Sequence, residues 1–244
     1  ILPKGYLDNP AKRYPVIYAL HGANGSWETF VRDNGGGLAD EMRRLSDAYG
    51  FIVVSPDGDR TSWWWDSPID SSFRYETFVS QELVSWVDAN FRTNTNRLNR
   101  AVIGASMGGH GACWIGFRHK DLFSVVGNVF GGVDIRPFPN NWDIGKRLGK
   151  LDGNEDVWTK YSAITEAAKL KDGDIRLVSV VGTEDFFLEA NRRMHALLTS
   201  NKVGHTYVEC RAETDETSGH HRQFLVKALP LVFNFIDGWF SAEP

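Results

Sequence analysis

The sequence predicts an α/β fold in which a mostly parallel central sheet is covered by helices on both faces. Strand-like and helix-like segments alternate along the chain, and most of the strand-like segments are apolar throughout. One of them runs directly into a Gly-x-Ser-x-Gly turn that is followed by a helical pattern. Because the chain has 244 residues, of which 42% are apolar, we expect one domain over residues 1–244.

The predicted strands are short apolar runs that end at turn-forming residues. The first ends in the His21-Gly22 loop, the second is stopped by Pro56, and the third leads into the Gly-x-Ser-x-Gly turn. The last alternates only weakly, which is typical of a sheet edge. In chain order the predicted strands are Tyr14–Leu20, Phe51–Pro56, the run that contains Val102 and Ile103, Leu122–Phe130, Ile175–Val181 and Thr206–Cys210.

Helical spacing of apolar residues fills the intervals between these strands. Small residues after Ser106 allow the next helix to pack closely on the sheet, and Pro230 lies inside the last helical segment. The segment 131–153 is expected to be irregular. The predicted helices are about 37–49, Tyr75–Phe91, the stretch after Ser106, Phe187–Ser200 and Phe224–Phe240.

The charge and hydropathy of the chain exclude several classes of partner. The formal net charge is -4 and the basic residues form no block, so we expect no nucleic-acid partner. No run approaches the roughly 18 apolar residues that span a bilayer, so we expect no membrane partner. A small neutral or apolar molecule fits this composition better, and the sequence is compatible with a homo-oligomer while leaving the cellular compartment open.

The Gly-x-Ser-x-Gly turn makes Ser106 the candidate nucleophile. A serine hydroxyl reacts well only when it stands on a sharp strand-to-helix turn, exposed to a base and flanked by backbone N–H groups. Gly104 and Gly108, two residues before and two after the serine, allow such a strained turn to close. The pattern therefore predicts a nucleophile elbow.

An activated serine needs an imidazole and a carboxylate, which follow it in the chain in folds of this type. Asp185 comes directly after a predicted strand and is the expected acid, with its neighbour Glu184 as the alternative. His220 is the expected base. It lies in a polar loop before the last helix, and the residues alone separate it poorly from His221.

The remaining histidines have weaker interpretations. His21 precedes the serine in the chain and is expected to brace the turn of its own loop, His21-Gly22. The others show no metal-ligand spacing with a further His, Cys or acidic residue, so we expect no metal site.

Four motifs together resemble the putative-esterase family of α/β-hydrolases: LHGANGSW, GASMGGHGA, GTEDFF and SGHHRQF. This family includes tributyrin, feruloyl and acetylxylan esterases, S-formylglutathione hydrolases and mycolyltransferases. The resemblance implies an α/β-hydrolase fold, a catalytic triad of Ser106, Asp185 and His220, and no cofactor. It also implies an oxyanion hole formed by the backbone N–H groups of Ala23 and Met107.

Two features depart from the family. Arg222 stands where members often carry an aromatic residue, and only residues 1–10 remain to supply the two antiparallel strands that usually precede the first motif.

Aromatic residues near the expected site suggest the substrate. Trp63, Trp64 and Trp65 lie in a loop after the second strand, and Phe186 follows the acid, so we expect these four to bind substrate. Core packing is the alternative for each tryptophan. Phe186, Phe187 and the segment 131–142 are expected to form the acyl pocket or a cap, with a plain apolar wall as the alternative. Together with the resemblance, the aromatic residues favour an esterase that acts on short-chain acyl, acetyl or feruloyl esters of plant polysaccharide such as xylan. The alternatives are a thioesterase of the S-formylglutathione type, an acyltransferase, and a catalytically idle carbohydrate-binding module.

Overall fold

The structure is a computed structural model that describes residues 1–32, 37–211 and 219–242. Six parallel strands in this part of the chain form one sheet in the order β2-β1-β3-β4-β5-β6. The predictions of a parallel sheet and of an edge position for its last strand are therefore confirmed. The strands are β1 (Val16–Leu20), β2 (Ile52–Val54), β3 (Arg100–Ala105), β4 (Val125–Val129), β5 (Arg176–Gly182) and β6 (His205–Cys210).

Helices connect the strands and cover both faces of the sheet. Helix α2 continues through a π-helical turn, Phe78–Leu83, into α3, so the predicted helix 75–91 is one continuous stretch. The segment expected to be irregular contains α5. The helices are α1 (Leu38–Tyr49), α2 (Tyr75–Thr77), α3 (Val84–Asn90), α4 (Met107–Arg118), α5 (Ile144–Leu148), α6 (Glu155–Lys160), α7 (Ala163–Ala167), α8 (Leu188–Ser200) and α9 (Arg222–Phe240).

The sheet is buried on both faces, which explains its apolar strands. In β1, Tyr18 and Leu20 belong to a core cluster that also contains residues of α4, α7 and α8. Ile17 and Ala19 point the other way, into a second cluster with residues of α1 and α9. Alternate side chains of a strand lie on opposite faces, so a strand covered on both sides must be apolar at every position.

The fourth strand is shorter than predicted. Its apolar run begins at Leu122, but Phe123 donates its backbone N–H to His119 O at 3.1 Å and so belongs to the turn that ends α4. The chain enters the sheet only when Ser124 donates to Arg100 O. Hydrophobicity alone does not separate these turn residues from the strand that follows.

The chain before β1 pairs with the sheet through its first residue. Ile1 exchanges two backbone hydrogen bonds with Val53 of β2, at 2.7 and 3.0 Å. Within residues 1–15 the structure assigns no strand. Among the described residues, no helix combines the length and the hydropathy that crossing a bilayer requires.

Candidate active site

Ser106 stands at the junction of β3 and α4 in a strained backbone conformation, with φ of 59° and ψ of -121°. The flanking positions 104 and 108 must be glycine, because neighbouring backbone atoms leave no room there for a side chain. A Cβ on Gly104 would lie 2.1 Å from Gly108 O, and a Cβ on Gly108 would lie 1.9 Å from Leu20 O. The predicted sharp turn and the need for both glycines are confirmed.

A chain of hydrogen bonds joins the three side chains that the sequence singled out. His220 Nε2 lies 2.8 Å from Ser106 Oγ, and His220 Nδ1 lies 2.8 Å from Asp185 Oδ2. An ionised carboxylate can only accept, so Nδ1 carries the imidazole proton and donates it to Asp185. Nε2 is then left with a lone pair, and the Ser106 hydroxyl donates to it. This arrangement prepares the serine to lose its proton to the imidazole.

Asp185, and not Glu184, supplies the carboxylate. Its side chain is 0% exposed, and its second oxygen, Oδ1, accepts the backbone N–H of Phe187 at 2.7 Å. The side chain of Glu184 is exposed on the same loop. Both oxygens of Asp185 are thus hydrogen-bonded, and these bonds fix the rotation of the carboxylate plane.

His220, and not His221, faces the serine. His221 is exposed and occupies the N-cap position of α9. Ser218 of the SGHHRQF motif lies outside the described residues. The start of α9 therefore sets the position of the imidazole.

Besides the imidazole, two backbone segments lie next to Ser106: the start of α4 and the loop after β1. Met107 begins α4, and N–H groups in the first turn of a helix have no acceptor within the helix. Gly22 lies so close that a Cβ on it would be 3.1 Å from Ser106 Cβ, and Ala23 follows Gly22 on the cavity wall. The next two N–H groups, of Asn24 and Gly25, already donate to backbone carbonyls.

His21 holds this second segment in place, as the sequence predicted. It is fully buried, and its Nε2 accepts the backbone N–H of Gly58 at 2.9 Å. Its Nδ1 must then carry the proton, which it donates to Gly22 O at 2.8 Å. Burial lowers the pKa of His21 below its usual value, so the ring stays neutral and keeps this pattern of bonds.

A cavity of about 380 Å³ opens beside Ser106 and His220. Phe186, which the sequence predicted at the site, lines it with a ring that is 50% exposed and lies 4.3 Å from the imidazole centroid. Trp142 stacks on Phe186 at 5.6 Å with an interplanar angle of 21°. Phe130 contacts the imidazole as well, at 4.4 Å. The serine therefore opens onto a largely aromatic wall.

The expectation that Trp63, Trp64 and Trp65 bind substrate is wrong. Their side chains are 1%, 0% and 0% exposed, and all three belong to the core cluster on one face of the sheet. Positive φ angles of 57° and 63° at Trp63 and Trp64 turn the backbone so that three consecutive rings point inward. Trp63 reaches the cavity only indirectly, because its Nε1 donates to the backbone oxygen of Trp142 at 3.2 Å.

A buried polar network that sequence reasoning missed supports the site. Asn128 of β4 accepts the N–H of Gly131 at 2.9 Å and donates to Asn191 of α8 at 2.7 Å. Asn191 donates in turn to the carbonyl oxygens of Gly131 and Phe187, both at 2.9 Å. The network ties the loop after β4 to the loop that carries Asp185. Both asparagines lie within an ordinary strand and helix pattern, so nothing in the sequence distinguished them.

His110 adds a second internal support. Its Nε2 accepts Trp65 Nε1–H at 2.8 Å, and its Nδ1 donates to Gly132 O at 3.0 Å. Complete burial lowers the pKa of His110 to about 3, so the ring is neutral at physiological pH. Gly132 donates to Ser106 O, so His110 is connected to Ser106 through Gly132. In the described part of the chain, no three His, Cys, Asp or Glu side chains cluster as a metal site would require.

The chain is similar to several known esterases. It is 32% identical over 139 residues to the esterase Rv1288 of Mycobacterium tuberculosis, a match that covers 56% of this chain and 29% of that protein. It is 23% identical over 194 residues to the S-formylglutathione hydrolase of Mus musculus, covering 71% of this chain and 65% of the other. The chain thus spans less than two thirds of the length of these relatives.

A solved structure of a ferulic acid esterase superposes with a TM-score of 0.79 at 25% identity, covering 98% of this chain and 90% of the other. The family model described as "Putative esterase" matches residues 1–229. The chain therefore belongs to this esterase family and has the α/β-hydrolase fold.

Proposed function

We propose that the protein is a serine carboxylic-ester hydrolase in which Ser106 is the nucleophile, His220 the general base and acid, and Asp185 the residue that orients the imidazole. The observation that carries this proposal is the unbroken hydrogen-bond chain from Ser106 Oγ through His220 to Asp185 at the edge of a cavity. Membership of the esterase family supports it independently.

The reaction begins with the attack of Ser106 Oγ on the carbonyl carbon of the ester, while His220 Nε2 takes the hydroxyl proton. The carbonyl oxygen becomes an oxyanion in the tetrahedral intermediate. When the intermediate collapses, the carbon–oxygen bond to the alcohol breaks, and Nε2 returns its proton to the departing alkoxide. The products of this half are the free alcohol and an acyl group on Ser106.

Water completes the cycle. It attacks the acyl carbon, gives one proton to Nε2 and expels Ser106 Oγ, which recovers that proton. Throughout both halves Asp185 stays ionised and holds the proton-bearing Nδ1, so that the imidazolium formed at each attack is stabilised.

The oxyanion is stabilised by the backbone N–H groups of Ala23 and Met107. Both belong to segments that meet at Ser106, and each such donor is worth about 3 kcal/mol of transition-state stabilisation. Because these are backbone groups, their positions depend on Gly22 and on the first turn of α4, and not on a side-chain conformation.

The substrates that fit best are acetyl and feruloyl esters of plant polysaccharide such as xylan. The cavity of about 380 Å³ beside Ser106 has room for a small acyl or aryl group. The similarity to a ferulic acid esterase supports the same substrate class. The second candidate is thioester hydrolysis, which the similarity to an S-formylglutathione hydrolase favours and which uses the same three side chains.

A substrate panel tests the proposal. Initial rates are measured on p-nitrophenyl acetate, methyl ferulate, acetylated xylan and S-formylglutathione, for wild-type protein and Ser106→Ala. We expect hydrolysis of the oxygen esters and a loss on the order of a million-fold in Ser106→Ala, with unchanged folding. Preference for S-formylglutathione would select the second candidate. A folded protein that binds xylan but cleaves none of these esters would refute both and leave an idle binding module.

A further inference from the structure

We infer that Phe186 and Trp142 form the subsite for the leaving alcohol, and that this subsite takes a sugar ring. The inference rests on the proposed ester hydrolysis and adds the direction in which a substrate lies across the site. The two rings line the same cavity as Ser106 and stack on each other.

The direction follows from the path of the proton. The nitrogen that receives the Ser106 proton, His220 Nε2, must return it to the alkoxide oxygen, so that oxygen lies within hydrogen-bonding reach of the imidazole. The carbonyl oxygen points the opposite way, toward the Ala23 and Met107 N–H groups. The alcohol therefore leaves past the imidazole, and whatever covers the imidazole contacts the alcohol.

Phe186 covers it. Asp185 donates its N–H to Gly182 O at 3.2 Å and accepts Leu188 N–H at its backbone oxygen at 3.0 Å, so the loop is closed on both sides of the acid. Phe187 is buried by this turn, whereas the ring of Phe186 projects over the imidazole and stays 50% exposed. A half-exposed aromatic ring in a rigid turn beside a reactive centre is typical of a ligand contact.

Trp142 extends this surface away from His220. Its backbone has a φ of 47°, and the buried Trp63 Nε1–H holds its carbonyl oxygen. Trp142 packs against Phe186 and continues the aromatic wall of the cavity beyond the ring that contacts the imidazole. The C–H face of a pyranose is apolar and slightly positive, so it complements the negative face of an aromatic ring. Asn24 and Arg222 line the same cavity and offer polar contacts to hydroxyl groups.

Binding of the two halves of the substrate is measured separately by calorimetry. All measurements use Ser106→Ala, which binds without turnover. Trp142→Ala is added to this variant, and Trp142 is chosen over Phe186 because its ring contacts Phe186 and not the imidazole, so its removal leaves His220 in place. The ligands are xylotetraose, for the alcohol half, and ferulate, for the acyl half. The matched control is Trp86→Ala, a tryptophan that is 57% exposed on α3 and does not line this cavity.

We expect Trp142→Ala to weaken xylotetraose binding about three- to tenfold and to leave ferulate binding within about twofold. Trp86→Ala should change neither. Weaker ferulate binding with unchanged xylotetraose binding would reverse the assignment and overturn the inference, as would xylotetraose binding that is undetectable or independent of Trp142.

A kinetic arm separates the inference from the proposed function. Three acetyl esters that share one acyl-enzyme are compared in the Ser106-containing protein: ethyl acetate, 4-methylumbelliferyl acetate and acetylated xylotetraose. We expect Trp142→Ala to lower kcat/KM for acetylated xylotetraose about three- to tenfold more than for ethyl acetate, with an unchanged deacylation rate after the burst with the aryl ester. Equal losses on all three would refute the alcohol subsite alone. Trp142-dependent sugar binding with no hydrolysis of any ester would refute the proposed function instead.

Discussion

Replacement of Asp185 by Asn should inactivate the protein through the tautomer of His220 while leaving its geometry intact. Asp185 Oδ1 accepts the N–H of Phe187 at 2.7 Å, and Oδ2 faces His220 Nδ1 at 2.8 Å. In Asp185→Asn the amide oxygen must stay opposite the Phe187 N–H, because the amide NH₂ cannot accept a hydrogen bond. The NH₂ group then faces Nδ1, which must lose its proton to become the acceptor.

The imidazole proton consequently moves to Nε2, where it faces Ser106 and prevents this nitrogen from taking the hydroxyl proton. A wrong tautomer in a triad costs about 10⁴-fold in kcat, which corresponds to about 5 kcal/mol of transition-state stabilisation. The assay is the steady-state hydrolysis of p-nitrophenyl butyrate at pH 7.5 by wild-type protein and Asp185→Asn, with thermal melting as a check on folding.

The matched control is Glu184→Gln, which neutralises the exposed neighbouring carboxylate on the same loop. It should retain activity within about twofold, since a surface charge at that position has little effect. If Asp185→Asn keeps more than a tenth of the wild-type kcat, or if Glu184→Gln loses as much, then the assigned direction of the hydrogen bonds is wrong.

Three further predictions concern the framework of the site. Gly108→Ala should cost several-fold in kcat and lower Tm, because its Cβ would lie 1.9 Å from Leu20 O; wild-type activity and Tm would contradict the tight approach at the elbow. Trp65→Phe leaves His110 Nε2 without its buried donor and should cost about 1–3 kcal/mol in urea unfolding; an unchanged midpoint would show that the bond contributes nothing. His110, whose pKa falls from 6.5 to about 3, stays neutral in the folded protein while the unfolded chain takes up a proton below pH 6.5. The free energy of unfolding therefore contains the full contribution of His110 above pH 6.5 and loses about 1.4 kcal/mol per pH unit below it. In His110→Gln the free energy of unfolding should fall less steeply between pH 6.5 and 5.

Most of the fold could be predicted because its determinants are local. Each buried strand is a compact apolar run, and the weaker alternation of β6 correctly indicated its place at the sheet edge. The short helices α6 and α7 were missed, since five or six residues are too few to establish a helical period. Helix α7 packs against α4 and α8, and α6 packs against α7; no local pattern records these contacts.

The sequence predicted the reactive groups of the site better than its walls. Ser106 and Asp185 lie in turns directly after β3 and β5, so their approach could be inferred from the order of elements, whereas the residues alone separated His220 poorly from His221. The tryptophan prediction failed because positive φ angles at Trp63 and Trp64 turn all three consecutive rings into the core, which no pattern in the sequence records. Trp142 lies at the end of the segment 131–142, which the sequence assigned to an acyl pocket or a cap, and the structure places it on the wall of the cavity.

The three hydrogen-bonded side chains are held in place by helices on both faces of the central sheet. The loop of Asp185 is braced by Asn128 and Asn191, and Ser106 by the N–H of Gly132, on the side of α4 and α8. His220 is carried by α9, which packs with α1 on the opposite side. Turnover therefore requires two separately packed hydrophobic layers to be intact at once. A substitution deep between α1 and α9, remote from any substrate, should displace the imidazole before it disturbs the serine, and heat should abolish turnover as soon as the weaker layer loosens.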